Sequence, residues 1–315
     1  MHIFKVAGAL TGPISRGVIL ISTYANKSNN SCMASYGIFL LLMLVSFFSF
    51  VTTESQDNLF FISQSCSTNH TSVNSPYQLN LKTLLSSLSS KASRNNEFYN
   101  TTIVGETPTD SVYGVFMCRG DITPQLCQQC VQNATQRLSS DSDCSLSKEA
   151  VSWYDMCMVR YSNRSFFSTL DTTPSFYLWN PTNADKLESL MHLMFKTMNE
   201  TADEAACGGI GEKKYATREA KMSEFHTLYC LAQCTPDLSP LHCRACLNQA
   251  IGDLPRCCQG KIGRRVLYPN CNIRYELYPF YRSMVPSPTP TLLFVQESNF
   301  SKADSILSDT LVANA

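Results

Sequence analysis

Apolar residues recur at helical spacing in two separate stretches of the chain. Each stretch places four large apolar side chains at i, i+3, i+4 and i+7, which predicts an amphipathic helix with one face in a core. They are Leu81, Leu84, Leu85 and Leu88 in the first stretch and Leu187, Leu190, Met191 and Met194 in the second. We interpret the methionines as core residues rather than ligand contacts, and we expect His192 to lie at the surface or partly packed.

Each helix is followed by segments typical of β-strands. Residues 111–117 and 225–231 predict one strand in each half, and residues 150–161 and 264–281 predict the strands that end each half. A second helix is predicted in each half where a hydroxyl residue precedes a proline, at Thr123-Pro124 and at Ser239-Pro240. Two helices against an antiparallel sheet make an α+β domain of roughly 110 residues, a size that disulfides help to stabilise. The pattern therefore predicts two tandem α+β domains.

A cysteine motif occurs twice and supports this duplication. Its three cysteines each recur 116 positions later, as Cys118-x8-Cys127-x2-Cys130 and Cys234-x8-Cys243-x2-Cys246. A shared offset at three cysteines indicates one fold repeated in tandem. Because repeated disulfides can stabilise each copy of a duplicated fold, we interpret these cysteines as structural.

The amino-terminal region reads as a signal peptide. Residues 37–51 form an apolar run with small and polar residues after it, and we expect translation to begin at Met33. A signal anchor is the alternative, but a run of about 15 residues is short for a spanning helix. Removing this region also removes Cys32, which leaves an even fourteen of the 15 cysteines, as a secreted disulfide framework favours.

These features divide the chain into four segments. Residues 1–55 are the upstream extension and signal peptide, 56–168 the first domain, 169–282 the second domain, and 283–315 a disordered Pro/Ser-rich tail. We expect no membrane span in the mature chain. Six glycosylation sequons fit the secretory route: Asn69, Asn100, Asn133, Asn163, Asn199 and Asn299.

Charge and motif content argue against several function classes. Lys plus Arg equals Asp plus Glu at 25 each, so a nucleic-acid partner is not expected. Zinc binding or redox activity of the Cys-x2-Cys pairs is an alternative that the oxidising secretory route makes unfavourable. The four histidines of the mature chain stand in no catalytic motif, and we expect no metal, no cofactor and no enzymatic activity.

Several strings resemble the plant ginkbilobin-homologous domain, also called the salt-stress response/antifungal domain. They include VYGVFMCRGD, WYDMCMVRYSN and TLYCLAQCTPDLS, and the resemblance covers residues 58–282, in the arrangement of a cysteine-rich repeat secretory protein. It implies disulfides that join the first to the fifth, the second to the third and the fourth to the sixth cysteine. The implied bridges are Cys66–Cys144, Cys118–Cys127, Cys130–Cys157, Cys234–Cys243 and Cys246–Cys271. The second repeat lacks a first cysteine, which leaves Cys207, Cys230, Cys257 and Cys258 unassigned.

The resemblance also implies a mannose site made of an Asn, an Arg and a Glu, whose side chains can bracket sugar hydroxyls. Repeat one has Ser67, Val151 and Ser162 at these places and is expected not to bind in this way. Repeat two has Arg265 and Glu276, with Asn180, after Trp179, nearest the third place. The alternative is that Arg265 and Glu276 form a structural cross-strand ion pair.

These expectations lead to a secreted, non-enzymatic plant protein of the apoplast. The resemblance implies carbohydrate recognition of the mannose type in defence or stress, with mannose-containing glycans as ligands. The alternatives are a protein-interaction module that partners receptor-like kinase ectodomains or related secreted proteins, and a receptor ectodomain whose membrane and kinase exons are missing.

The aromatic residues between the repeats, among them Phe166 and Phe176, predict that the connection packs and that the domains dock as one body. The alternative is that these aromatics form the last strand of repeat one. We also expect each sheet to have an exposed aromatic face that includes Tyr275 and Tyr278.

Overall fold

A computed structural model describes residues 59–94, 96–257 and 260–282. The predicted signal peptide, the proposed start at Met33, the sequon at Asn299 and the tail lie outside these residues. Within the described ranges no helix is both long and apolar enough to cross a membrane. All of the described residues of both repeats belong to one compact unit.

Each repeat folds as a five-stranded antiparallel sheet covered on one face by two helices. Repeat one contains β1 (Phe61–Cys66), α1 (Pro76–Ala92), β2 (Phe98–Ile103), β3 (Val112–Cys118), α2 (Pro124–Ser140), β4 (Glu149–Tyr154) and β5 (Cys157–Ser162). Repeat two contains β6 (Phe176–Trp179), α3 (Leu187–Ala206), β7 (Lys214–Lys221), β8 (Thr227–Cys234), α4 (Pro240–Cys257), β9 (Arg264–Leu267) and β10 (Cys271–Glu276).

The two sheets have the same strand order, β1-β4-β5-β3-β2 and β6-β9-β10-β8-β7. The predicted α+β class and the duplication are therefore confirmed. Strands β1, β2, β6 and β7 were not predicted. The sequences of β1, β2 and β7 mix polar and apolar residues without a clear alternation, and β6 has only four residues.

Helices α1, α2 and α4 begin at proline residues, whereas α3 begins at Leu187 after Lys186 and has no side-chain cap. Ser75 accepts a hydrogen bond from the backbone N–H of Gln78, and Thr123 accepts one from Leu126. Such caps satisfy backbone donors that the first helical turn leaves free. The apolar stripe of α1 is buried against its sheet, and in α3 Leu190 and Met194 are buried while Leu187 and His192 remain exposed.

The five disulfides that the resemblance implies are present: Cys66–Cys144, Cys118–Cys127, Cys130–Cys157, Cys234–Cys243 and Cys246–Cys271. The zinc alternative is wrong for these cysteines, because their sulfurs are bonded to each other. Cys207 is exposed and Cys230 is buried, and neither has a disulfide partner among the described residues. The Cys258 residue and the Cys257 side chain lie outside the described part of the chain.

The strand register shows which residue of repeat two occupies the position of the first cysteine of repeat one. Cys66 pairs with Ala150, seven residues before Cys157, and Trp179 pairs with Arg264, seven residues before Cys271. Trp179 therefore stands in the position of Cys66.

The helix-free faces of the two sheets pack against each other through a third apolar cluster. Trp153 and Met158 of repeat one, Leu267 of repeat two and Phe166 of the connection are buried in it. The connection packs as predicted. The alternative for its aromatics is wrong, because Phe176 begins β6, which pairs with β9 in the sheet of repeat two.

The expected aromatic face is corrected in one respect. Tyr275 is buried on the helix side of its sheet and donates a hydrogen bond to the carbonyl oxygen of Lys261, whereas Tyr278 is exposed as expected. Side chains alternate along β10, so Tyr275 shares the core face with Cys271 and Ile273.

Matching contacts tie each repeat to the end of the other. The backbone N–H of Ser168, just after repeat one, donates to Asp237 Oδ2 of repeat two at 2.7 Å. The backbone N–H of Arg282, just after repeat two, donates to Asp121 Oδ2 of repeat one at 2.9 Å. Both aspartates lie three residues after the first cysteine of the motif, so these ties follow the duplication.

Candidate functional site

A cleft of about 500 Å³ lies between the sheet of repeat two and repeat one. Its walls come from β6, β9 and β10 of repeat two and from Phe60, Ile62 and Asp155 of repeat one. Asn180, Arg265 and Glu276 all line it. The structure therefore brings together the three residues that the family resemblance selects.

The position of Asn180 follows from the backbone register. Its N–H donates to the carbonyl oxygen of Gly263 at 2.9 Å, as the N–H of Ser67 donates to Glu149 at 2.9 Å in repeat one. Gly263 and Glu149 both lie eight residues before the last cysteine of their repeats. Asn180 thus takes the place of Ser67, next to Trp179.

Arg265 has a different partner from the one considered in the ion-pair alternative. No ion pair joins Arg265 to Glu276 among the described residues. Instead, Arg265 Nη1 contacts Asp155 Oδ1 of repeat one at 2.6 Å. Arg265 faces Arg274 across β9 and β10, and a carboxylate from the other repeat offsets this like-charge pair.

Asp155 is the centre of a largely buried charge network. It contacts Arg119 of its own repeat at 3.1 Å, and Arg265 and Arg274 of repeat two at 2.6 and 3.2 Å. Burial opposes its ionisation, but the three guanidinium groups together keep the pKa of Asp155 below its ordinary value. Burial lowers the pKa of Arg265 to about 10, so Arg265 remains charged at neutral pH.

Glu276 occupies a confined position at the end of β10. Its Oε1 accepts from Arg274 Nη2 at 3.2 Å, and Asn180 lies beside the carboxylate. Burial raises the pKa of Glu276 above its ordinary value, and Arg274 and Asn180 reduce that rise. Oε2 is buried and has no hydrogen-bond partner of good geometry among the described residues.

Gly263 makes room for this carboxylate. A Cβ atom at residue 263 would lie 1.7 Å from Glu276 Oε2, which no side chain could tolerate without displacing the carboxylate. The lack of a side chain at Gly263, the residue before β9, therefore leaves the space that the Glu276 carboxylate occupies.

Aromatic rings surround the polar centre. Phe60 is 65% exposed, Trp179 53% and Tyr278 45%, and all three line the cleft. Arg274 links two of the lining rings. Its guanidinium lies 4.2 Å from the centroid of Phe280 and donates a hydrogen bond to the Tyr278 hydroxyl at 3.0 Å.

The corresponding places in repeat one hold a different environment. Val151 is buried in the apolar cluster between the sheets, and Ser162 is buried and accepts from the N–H of Arg164. Arg160, the counterpart of Arg274, stacks on Phe166 at 4.1 Å and pairs with Asp171. Repeat one thus has the same contact between an arginine and a phenylalanine ring, but it lacks counterparts of the Asn180 amide and the Glu276 carboxylate.

The site can offer hydrogen bonds and ring faces to a polar ligand. Within the described ranges no group of three or more His, Cys, Asp or Glu side chains could hold a metal ion. Sequence reasoning missed Asp155, Arg274 and Phe60. The shared spacing of Arg160 and Arg274, each three residues after the last cysteine of its repeat, was the available signal for Arg274.

Comparison with known proteins shows which family has this architecture. Residues 65–164 and 179–278 each match the family described as Salt stress response/antifungal. The solved tandem DUF26 ectodomains of the Arabidopsis thaliana cysteine-rich receptor-like proteins PDLP5 and PDLP8 superpose with TM-scores of 0.56 and 0.58. They are 28% and 24% identical in sequence, and the match covers 70% of this chain and 100% and 99% of those chains.

Curated relatives fall into two groups. Cysteine-rich receptor-like protein kinase 25 of Arabidopsis thaliana is 38% identical over 275 residues, which cover 83% of this chain but only 38% of that protein. Cysteine-rich repeat secretory protein 38 of Arabidopsis thaliana is 37% identical, with 74% and 90% covered. Antimicrobial ginkbilobin-2-like protein of Castanea crenata is 39% identical, with 65% and 82% covered.

The chain therefore spans a little over a third of that receptor-like kinase and most of the two shorter relatives. The same assignment follows from three findings: both repeats match the family, both have the same disulfide-bonded fold, and both groups of relatives align with most of the chain. The chain belongs to the Salt stress response/antifungal family, as a tandem DUF26 protein related to cysteine-rich repeat secretory proteins and to receptor-like kinase ectodomains.

Proposed function

We propose that this chain is a secreted, non-enzymatic protein of the apoplast that binds mannose-containing glycans in the cleft between its repeats. The observation that carries the proposal is the buried Glu276 Oε2 beside Asn180, which has no hydrogen-bond partner of good geometry in the part of the chain that the structure describes. An acceptor in this state favours a ligand that brings its own hydroxyl donors, since a buried polar atom without a partner costs free energy.

The geometry changes the role of one residue in this proposal. Arg265 is tied to Asp155, so it supports the cleft wall and the docking of the repeats as well as offering its remaining donors. Asn180 and Glu276 carry most of the contacts to the sugar. A defence or antifungal role follows by analogy with the antimicrobial relative.

Isothermal titration with mannose and a glycan array test this proposal. Glu276→Gln keeps the shape of the side chain but replaces the carboxylate, and we expect it to weaken binding about 10-fold or more, as loss of a charged hydrogen bond does. Ser162→Ala is the matched control at the corresponding place of repeat one and should bind as the parent does. Absence of any glycan binding by the parent chain contradicts the proposal.

A second candidate function is protein interaction at the cell surface. The match to receptor-like kinases over most of this chain supports a role as a partner of related ectodomains, or as the ectodomain of such a kinase. Transcript sequencing past codon 290 distinguishes a separate secretory protein from a receptor gene. Co-purification with receptor ectodomains, in the absence of glycan binding, would favour this second function.

A further inference from the structure

We infer that the cleft binds an oligosaccharide rather than a single hexose, with Trp179 and Tyr278 as stacking platforms on either side of the polar centre. This inference rests on the proposed carbohydrate function and specifies the ligand class for the same site.

Trp179 is the first observation. It stands where repeat one has the disulfide-bonded Cys66, and it lines the cleft with about half of its surface exposed. Aromatic rings present a partly negative face, which attracts the polarised C–H groups on the apolar face of a sugar ring. Since Asn180 is the next residue, a sugar held by Asn180 and Glu276 has this indole as its neighbour.

Tyr278 is the second observation, because its ring is held in place. Its hydroxyl accepts from Arg274 Nη2 at 3.0 Å, and the same guanidinium binds Glu276 and stacks on Phe280. A ring fixed in this way loses little conformational freedom on binding, which favours affinity. Tyr278 therefore extends the polar centre on the β10 side.

The size of the cleft is the third observation. Its volume of about 500 Å³ lies in the range of roughly 300–1,000 Å³ that holds drug-sized ligands, which are larger than one hexose. Phe60 contributes an exposed ring from repeat one to the lining of the cleft. A chain of sugars can thus contact both repeats, whereas a single hexose would leave part of the cleft empty.

The two tryptophans of the chain allow a direct test. Trp153 is buried between the sheets and Trp179 is exposed, so a ligand that covers the cleft changes mainly the environment of Trp179. The mature chain is titrated with mannose and with a linear mannotriose, by calorimetry and by intrinsic fluorescence. We expect mannotriose to bind more tightly and to shift tryptophan emission to the blue.

Three variants complete the experiment. Trp179→Ala should weaken mannotriose binding about 3–10-fold, the value of one aromatic contact, with a smaller effect on mannose. Trp179→Phe should retain most of the affinity and lose the fluorescence shift. Phe225→Ala removes a ring that is 89% exposed in the turn between β7 and β8 and should change neither.

The outcomes separate this inference from the proposed function. If mannose and mannotriose bind equally and Trp179→Ala alters neither, the oligosaccharide inference is overturned while glycan binding stands. If the parent chain binds no sugar, both are overturned.

Discussion

Asp155 connects the two repeats electrostatically, and its replacement gives the sharpest test of the docked arrangement. Asp155→Asn keeps the size of the side chain but removes the negative charge that three arginines share. Arg119 keeps its two contacts with Asp121 at 2.6 and 2.9 Å, but the buried Arg265 loses the carboxylate that compensates its charge. The free energy of unfolding should fall by about 3–5 kcal/mol, the typical cost of breaking a buried ion pair by removing one partner.

An exposed ion pair in the same repeat provides the control. Glu149 contacts Arg164 at 2.8 Å, and both side chains reach solvent. Surface pairs of this kind contribute about 0–1 kcal/mol, so Glu149→Gln should have a small effect. Urea denaturation of the mature chain measures both variants. A loss for Asp155→Asn no larger than that for Glu149→Gln would refute the reasoning.

The pH dependence of the free energy of unfolding provides a second test of the role of Asp155. The pKa of Asp155 is lowered in the folded protein, so the unfolded chain binds the proton more readily. The stabilisation is therefore complete above the unfolded value of about 3.9 and is lost as the pH falls below it. Asp155→Asn should lose this component of acid sensitivity, whereas Glu149→Gln should keep it.

The other predictions concern the staples, the site and the docking. Replacing both Cys66 and Cys144 with Ser opens a bridge that spans 78 residues and should cost about 4–5 kcal/mol in urea unfolding; a loss below about 1 kcal/mol would contradict this. Mannose binding should weaken as the pH falls through the raised pKa of Glu276, and calorimetry should show a flat profile for Glu276→Gln; an equally flat parent profile argues against an ionised acceptor. Gly263→Ala should abolish sugar binding, because its Cβ collides with the carboxylate, and unchanged affinity would refute that role. Small-angle scattering should give one interdomain distance, and a broad distribution would exclude a rigid pair.

The sequence alone determined the repeated architecture. Helical spacing of leucines and a cysteine motif with one offset are local signals, because each depends on residues close together in the chain. They predicted the helices, the α+β class and the tandem arrangement. The family resemblance added the disulfide pairing and selected Asn180, Arg265 and Glu276.

Only the tertiary structure decided how the site is completed. Asp155 is 110 residues from Arg265 in the chain, and nothing in the local pattern of either residue indicates that they meet. The burial of Tyr275 likewise depends on which face of β10 the helices cover. The cleft forms because two sheets dock through their helix-free faces, and a contact between distant surfaces leaves no periodic signal in the sequence.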